Sequence, residues 1–186
     1  MATNLFGNSN GTTLAGYTRR NAGGVESISV STEQAAQGMH SLLAVTQGVA
    51  ADEGITMHET SPYARGSINS GTQYTASASV YYLGASLGFR FTVQQYQSNL
   101  VFVASASSTP THLGLGWQRF VLTFSSNASA SFGTLLVSTL TTAAIQFYLD
   151  AMQIETGPAA STYVETGTAD EIRVYANQLH GIGAGW

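Results

Sequence analysis

Apolar residues return at every second position over long stretches of this chain, and that period constrains its fold more than any other feature. From Tyr74 to Tyr82 the even positions read Tyr74, Ala76, Ala78, Val80 and Tyr82, with Thr75, Ser77, Ser79 and Tyr81 between them. Successive side chains of a strand point to opposite faces, so one face of this segment is fit for burial and the other for water. The next run places Leu87, Phe89, Phe91 and Val93 on one side and Gly88, Arg90, Thr92, Gln94 and Tyr96 on the other. Leu83-Gly84-Ala85-Ser86 supplies a turn between the two runs, which are therefore expected to form a hairpin.

Further strands are expected over 99–104, where Leu100 to Val103 is continuously apolar, and over 117–124, where Phe120, Leu122 and Phe124 alternate with Arg119, Val121 and Thr123. Segments 134–140 and 145–154 follow, with weaker candidates at 27–30 and 42–46. In the 145–154 run the apolar phase changes, from Ile145, Phe147 and Leu149 to Met152 and Ile154, which predicts a β-bulge near Asp150 or Ala151. The small-residue stretches 105–111 and 125–131 read as loops, and 33–37 holds one helical turn at most. Roughly eight to ten strands with hardly any helical pattern predict an all-β, two-sheet antiparallel β-sandwich. Residues 1–163 form that sandwich in this reading, and 164–186, where the sequence changes character, form a C-terminal appendage for contacts with subunits or with a larger particle.

Composition then narrows the function. The 186-residue chain carries a net charge of -4, only 9% charged residues, six arginines and no lysine. That is no basic footprint for nucleic acid. The N-terminus reads as no signal peptide, and no stretch of about 18 apolar residues is present to span a membrane. Without cysteine there is no thiolate metal site or cysteine nucleophile.

Catalytic patterns are few. His40, His58, His112 and His180 are scattered, without the one-turn spacing of a zinc hydrolase. Gly84-Ala85-Ser86-Leu87-Gly88 spells Gly-x-Ser-x-Gly, but it sits between two strand runs with no helical pattern after it, and so is no strand-to-helix nucleophile elbow. Glu59, beside His58, is a general acid or base in principle, and is read instead as a solvated loop charge. Asp150 stands within an apolar strand, where an ionised carboxylate needs donors or a cation. It points outward, holds local structure or binds a metal such as Ca²⁺. Aromatic and polar residues on the strand faces opposite the apolar sets offer a glycan platform: Tyr81, Arg90, Tyr96, Trp117 and Arg119. The competing reading has Trp117 closing the edge of the core, with the tyrosines at its margin.

The segment Phe147-Tyr148-Leu149-Asp150-Ala151-Met152-Gln153-Ile154-Glu155-Thr156-Gly157, followed by Ala160-Ser161-Thr162-Tyr163, resembles the closing strand of family 4/9-type carbohydrate-binding modules, in particular the versions found in bacteriophage tail and minor structural proteins. Asn4-Leu5 is similar to their opening strand, Gly71-Thr72-Gln73-Tyr74 to the entry of their central hairpin, and Trp117-Gln118-Arg119 to their Trp-x-Arg strand. The resemblance spans about residues 4–164. It implies a galactose-binding-like jelly roll and a structural Ca²⁺ near Asp150, although Asn8-Ser9-Asn10-Gly11 departs from the family's usual continuation. It further implies a non-enzymatic virion protein, a capsid decoration or minor tail protein, whose partners are copies of itself, other virion proteins and host-surface glycans; the alternatives are a carbohydrate-binding module acting primarily as a host-receptor adhesin and, third, a small glycan-degrading enzyme.

Overall fold

The computed structural model describes residues 4–5, 13–21, 23–57 and 65–163. Twelve strands run through them: β1 (Tyr17–Arg20), β2 (Val25–Ser31), β3 (Ser41–Thr46), β4 (Gly54–Met57), β5 (Gly66–Ser67), β6 (Gln73–Tyr82), β7 (Leu87–Tyr96), β8 (Phe102–Ser108), β9 (Thr111–His112), β10 (Gly116–Ser125), β11 (Phe132–Thr139) and β12 (Gln146–Thr156). No helix occurs among the described residues. Two antiparallel sheets result. One has the order β1-β4-β11-β7-β8, with β5 and β9 at its margins; the other has the order β10-β6-β12-β3-β2.

The alternating residues meet between the sheets. Tyr74, Ala76, Ala78 and Val80 of β6, with Phe147, Leu149, Met152 and Ile154 of β12, face Phe89, Phe91 and Val93 of β7 and Leu135 and Val137 of β11. The Phe89 ring lies 5.3 Å from Phe147 and 5.7 Å from Phe120, both on the opposite sheet. Burying one such side chain stabilises the sandwich by about 2–3 kcal/mol.

This arrangement corrects the expected hairpin. β6 pairs with β10 and β12, whereas β7 pairs with β11 and β8, so residues 83–86 carry the chain from one sheet to the other. Both runs have a fully apolar face, and those faces pack against each other across the core rather than side by side in one sheet. A second correction concerns 99–111. Leu100, Val101 and Phe102 are exposed, and the Ser/Ala stretch read as a loop is edge strand β8 followed by β9. The bulge expected near Asp150 is present: the β12–β6 register shifts between Asp150 and Gln153, and Ala151 has φ 50°.

β12 pairs with β3 only from Gln146 to Leu149. Beyond the bulge its free edge is taken by Asn4 and Leu5. The Asn4 carboxamide donates to Met152 O (3.0 Å) and accepts from Ile154 N (3.3 Å), while Leu5 N donates to Ile154 O (3.0 Å). The Asn-Leu opening thus closes the sheet beside the bulge. Residues 164–186 lie outside the described residues, as do His58, Glu59 and His180.

Candidate functional site

The five expected platform residues do not share a face. Arg90 and Tyr96 project from the seven-stranded sheet, on the side away from the core; Tyr81, Trp117 and Arg119 project from the five-stranded sheet on the opposite side of the sandwich. Their strands show the same alternation, but β6 and β7 belong to different sheets.

On the outer face of the seven-stranded sheet, the register builds a polar grid. One row runs Arg20, Gly54, Ser138, Arg90 across β1, β4, β11 and β7. The next runs Thr18, Thr56, Leu136, Thr92, Ser107, and the third brings Thr134, Gln94 and Ser105 together. A cavity of about 150 Å³ opens over this grid, lined by Arg20, Asp52, Arg90, Thr92, Gln94, Ser105, Ser107 and Leu136. Gly54 is required in the first row, because a Cβ there would overlap the backbone of Val137 and Ser138.

The groups are fixed by one another. Arg90 Nε lies 3.3 Å from Asp52 Oδ1, and the Thr92 and Ser107 hydroxyls are 2.8 Å apart. The Tyr96 hydroxyl donates to Gln94 Oε1 at 3.3 Å. Tyr96 itself is only 8% exposed, with its ring stacked on Phe132 at 5.4 Å and 10° and edge-on to Phe102 at 5.8 Å. It orients Gln94 rather than offering a ring to a ligand. Arg65 lies over the Phe132 ring at 5.0 Å, at the same end of the face.

Asp52 reaches the groove from the β3–β4 connection, which Glu53 organises. Glu53 is fully buried, and its carboxylate accepts from the backbone N–H groups of Gln47 (3.0 Å), Gly48 (2.9 Å) and Ala50 (2.7 Å). Burial pushes its carboxyl up, but these amides and that of Val49 outweigh it and hold the carboxyl below its ordinary value. Asp52 then takes a left-handed conformation with φ 66°, and its N–H donates to Thr139 O at 2.9 Å.

The opposite face carries an aromatic row. Trp117 pairs with Tyr81 and Tyr81 with Tyr148 across β10, β6 and β12, with ring centroids 5.4 Å and 5.8 Å apart. Beneath it lie buried polar groups: Thr75, Ser77, Asp150, Gln153 and Glu155. Arg119 donates to Ser77 Oγ at 2.7 Å. Glu155 accepts from Gln153 Nε2 (2.6 Å) and Ser161 N (2.8 Å). Burial raises its carboxyl, yet the bonds from Ser161 and Gln153 and the charge of Arg119 bring it below the ordinary value. The chain after β12 therefore folds back and seals this face, which gives the Ala-Ser-Thr-Tyr segment a structural role.

Asp150 is fully buried there. Its Oδ2 accepts from Ala36 N (2.8 Å) and Gln37 N (2.9 Å), and its Oδ1 from Ala151 N. Ca²⁺ takes roughly six to eight oxygen ligands. Here the carboxylate meets N–H donors, and no group of three or more acidic or His residues gathers among the described residues. Among the described residues this donor set fits an anchor for the 32–40 loop and gathers no ligand set for Ca²⁺. His112 is likewise a core residue, buried against Tyr82, Phe89 and Phe120, with Nε2 2.9 Å from Gly116 O.

Sequence reasoning put Arg90 and Gln94 on an outward face fit for binding but missed Arg20, Asp52, Thr92, Ser105, Ser107 and Leu136 as groove residues. The alternation of β7 already put Thr92 beside Arg90. Nothing in the Ser/Ala run of β8 or the turn bearing Asp52 marked them out.

No protein-family model matches the sequence, and no curated protein is similar to it. The fold, however, is shared with solved carbohydrate-binding modules. The chain is similar to the first family 22 xylan-binding domain of a Paenibacillus barcinonensis xylanase, with TM-score 0.60, 21% identity, and coverage of 86% of this chain and 97% of that one. It is similar to the family 22 and family 10 glycoside hydrolase modules of Clostridium thermocellum xylanase 10B solved with xylohexaose (TM-score 0.65, 14% identity), covering 83% of this chain and 29% of that chain. The third is the enzymatically active domain of bacteriophage CBA120 tailspike protein 4 (TM-score 0.62, 10% identity), where 83% of this chain covers 21% of that one. At these identities the likeness is one of fold, a carbohydrate-binding-module-like jelly roll. The narrower family 4/9 resemblance does not come out of these three.

Proposed function

We propose that the chain is a non-catalytic carbohydrate-binding module whose ligand lies along the outer face of the seven-stranded sheet. The polar groove over β1, β4, β11, β7 and β8 carries this reading. It gathers two guanidiniums, a carboxamide and three hydroxyls on strands, with the Asp52 carboxylate from the β3–β4 connection, a set that matches the paired donors and acceptors of sugar hydroxyls. Strands hold such groups in place without reorganisation on binding. The described carboxylates facing either sheet surface are engaged in structural bonds rather than paired across the groove: Asp52 with Arg90, Asp150 with amides, Glu155 with Gln153 and Ser161. The fold neighbours named as binding modules support the same reading.

Calorimetry or a glycan array with the folded protein tests it. Gln94→Ala and Thr92→Val are expected to weaken binding at least about fivefold, roughly 1 kcal/mol for each lost hydrogen bond. A glycan signal unchanged by both variants would remove the groove from the function.

Display on a bacteriophage particle, in several copies, is the second element of the proposal. It is supported by the sequence resemblance and by the likeness to a tailspike domain. Copies on one particle turn weak contacts into useful avidity. A virion on which labelled antibody finds no copy of this chain would overturn that element and leave the glycan reading standing.

A further inference from the structure

Resting on the groove as the glycan site, we infer that its ligand is an acidic glycan, one whose sugars carry oxyanion groups such as the carboxylates of a hexuronate chain. The chain has six arginines and a net charge of -4, yet Arg20, Arg65 and Arg90 stand on the outer face of one sheet. The groove itself is lined by two arginines and one carboxylate, a local excess of positive charge on an acidic protein.

The state of each charged group sharpens the point. The Arg20 residue is exposed, and its side chain makes no hydrogen bond or ion pair with the described residues. Arg90 meets Asp52 through Nε, and its side chain remains 43% exposed. A guanidinium has five N–H donors, so this contact fixes the plane and leaves the terminal edge for a ligand. That edge matches a carboxylate bidentately. Asp52, already engaged by Arg90 and within 3.4 Å of the Ser138 hydroxyl, works mainly to aim Arg90. In register, Arg20 and Arg90 are separated by three strand spacings, about 14 Å between backbones. One extended chain can meet both.

The rest of the lining favours charge over stacking. None of its residues is aromatic, so the apolar C–H face of a neutral sugar meets only Leu136 there. Recognition that depends on exposed guanidiniums is also sensitive to salt.

Titration of the full chain with oligogalacturonate, and separately with its fully methyl-esterified form, keeps the sugar and removes the charge. The acid form is expected to bind at least about tenfold more tightly, with the difference shrinking as salt rises from low to high. Arg20→Gln, which touches no described partner, is expected to lower that affinity about five- to tenfold. Arg90→Gln should do the same, with its fold checked by thermal melting. Arg119→Gln removes an equal charge from the opposite sheet and should leave the affinity unchanged, with its fold checked by thermal melting because Arg119 bonds Ser77 Oγ. A sulfated oligosaccharide that outcompetes the uronate would keep the acidic-glycan class and identify sulfate as its source. Inorganic phosphate bound as tightly as the oligomers would overturn the inference by making the groove a simple anion site. Equal affinity for acid and ester, or an Arg20→Gln protein that binds as well as wild type, would overturn it while leaving the groove a glycan site. Absence of binding to every oligosaccharide would instead sink the glycan reading beneath it.

Discussion

The Tyr148 hydroxyl donates to the Glu33 carboxylate across 2.7 Å, tying β12 to the loop that follows β2. That bond, together with burial and the charge of Glu33, pushes the Tyr148 phenol from 10.0 up to about 12. The folded state thus holds the proton where the unfolded chain has already released it. The bond's contribution is fully present below pH 10 and is lost as pH rises through about 12. Tyr148→Phe is expected to lower stability by about 1 kcal/mol at neutral pH and to flatten the alkaline decline. Urea midpoints measured from pH 8 to 12 check both, and identical curves for the two proteins would refute the coupling.

Asn4 serves the backbone of β12 where the bulge leaves it without β3. Asn4→Ala strips a donor from Met152 O and an acceptor from Ile154 N, both buried. The expected loss is about 2 kcal/mol, which thermal unfolding will register. Asn4→Asp should do nearly as badly, since it keeps the acceptor but sets a carboxylate oxygen against a carbonyl.

Glu53 predicts an acid-side transition. Its folded carboxyl is held below the ordinary value, so its stabilising effect is present above the unfolded pKa and disappears as pH falls through the folded one. Glu53→Gln turns an amide NH₂ toward N–H donors and should cost about 1–3 kcal/mol at neutral pH. It should also loosen the turn that carries Asp52, so glycan affinity is expected to fall with it. Gly24→Ala is expected to mimic the defect, because a Cβ at Gly24 would overlap the Glu53 carboxylate. Urea midpoints at neutral pH and under acid, for wild type and both variants, separate these effects.

The same physics explains what the chain revealed before it was folded and what it withheld. Period two marked β6, β7 and β10 because each buries one whole face. The phase change at Leu149 to Met152 located the bulge, since an inserted residue must flip the parity. Parity cannot say which sheet a strand joins, and so Leu83 to Ser86 read as a hairpin turn although it crosses between sheets. Edge strand β8 buries little, so Ser105 and Ser107 carried no apolar signal. Asp52 was invisible for another reason: its position depends on the buried carboxylate beside it, a long-range consequence of β4 packing on β11.

Trp117 separates the two faces experimentally. It is the aromatic residue a sequence-level reading would choose for a sugar platform, yet it lies across the sandwich from the groove, packed against Tyr81. Trp117→Ala should lose contacts worth about 1–2 kcal/mol for a partly buried ring, visible as a lower melting temperature. Glycan affinity measured well below that temperature is expected to stay within about twofold of wild type, while Gln94→Ala shows the reverse pattern of intact stability and weakened binding. A Trp117→Ala protein that folds but no longer binds would move the site to the aromatic row of β10, β6 and β12, because no physical path in this fold lets that ring reach the outer face of the other sheet.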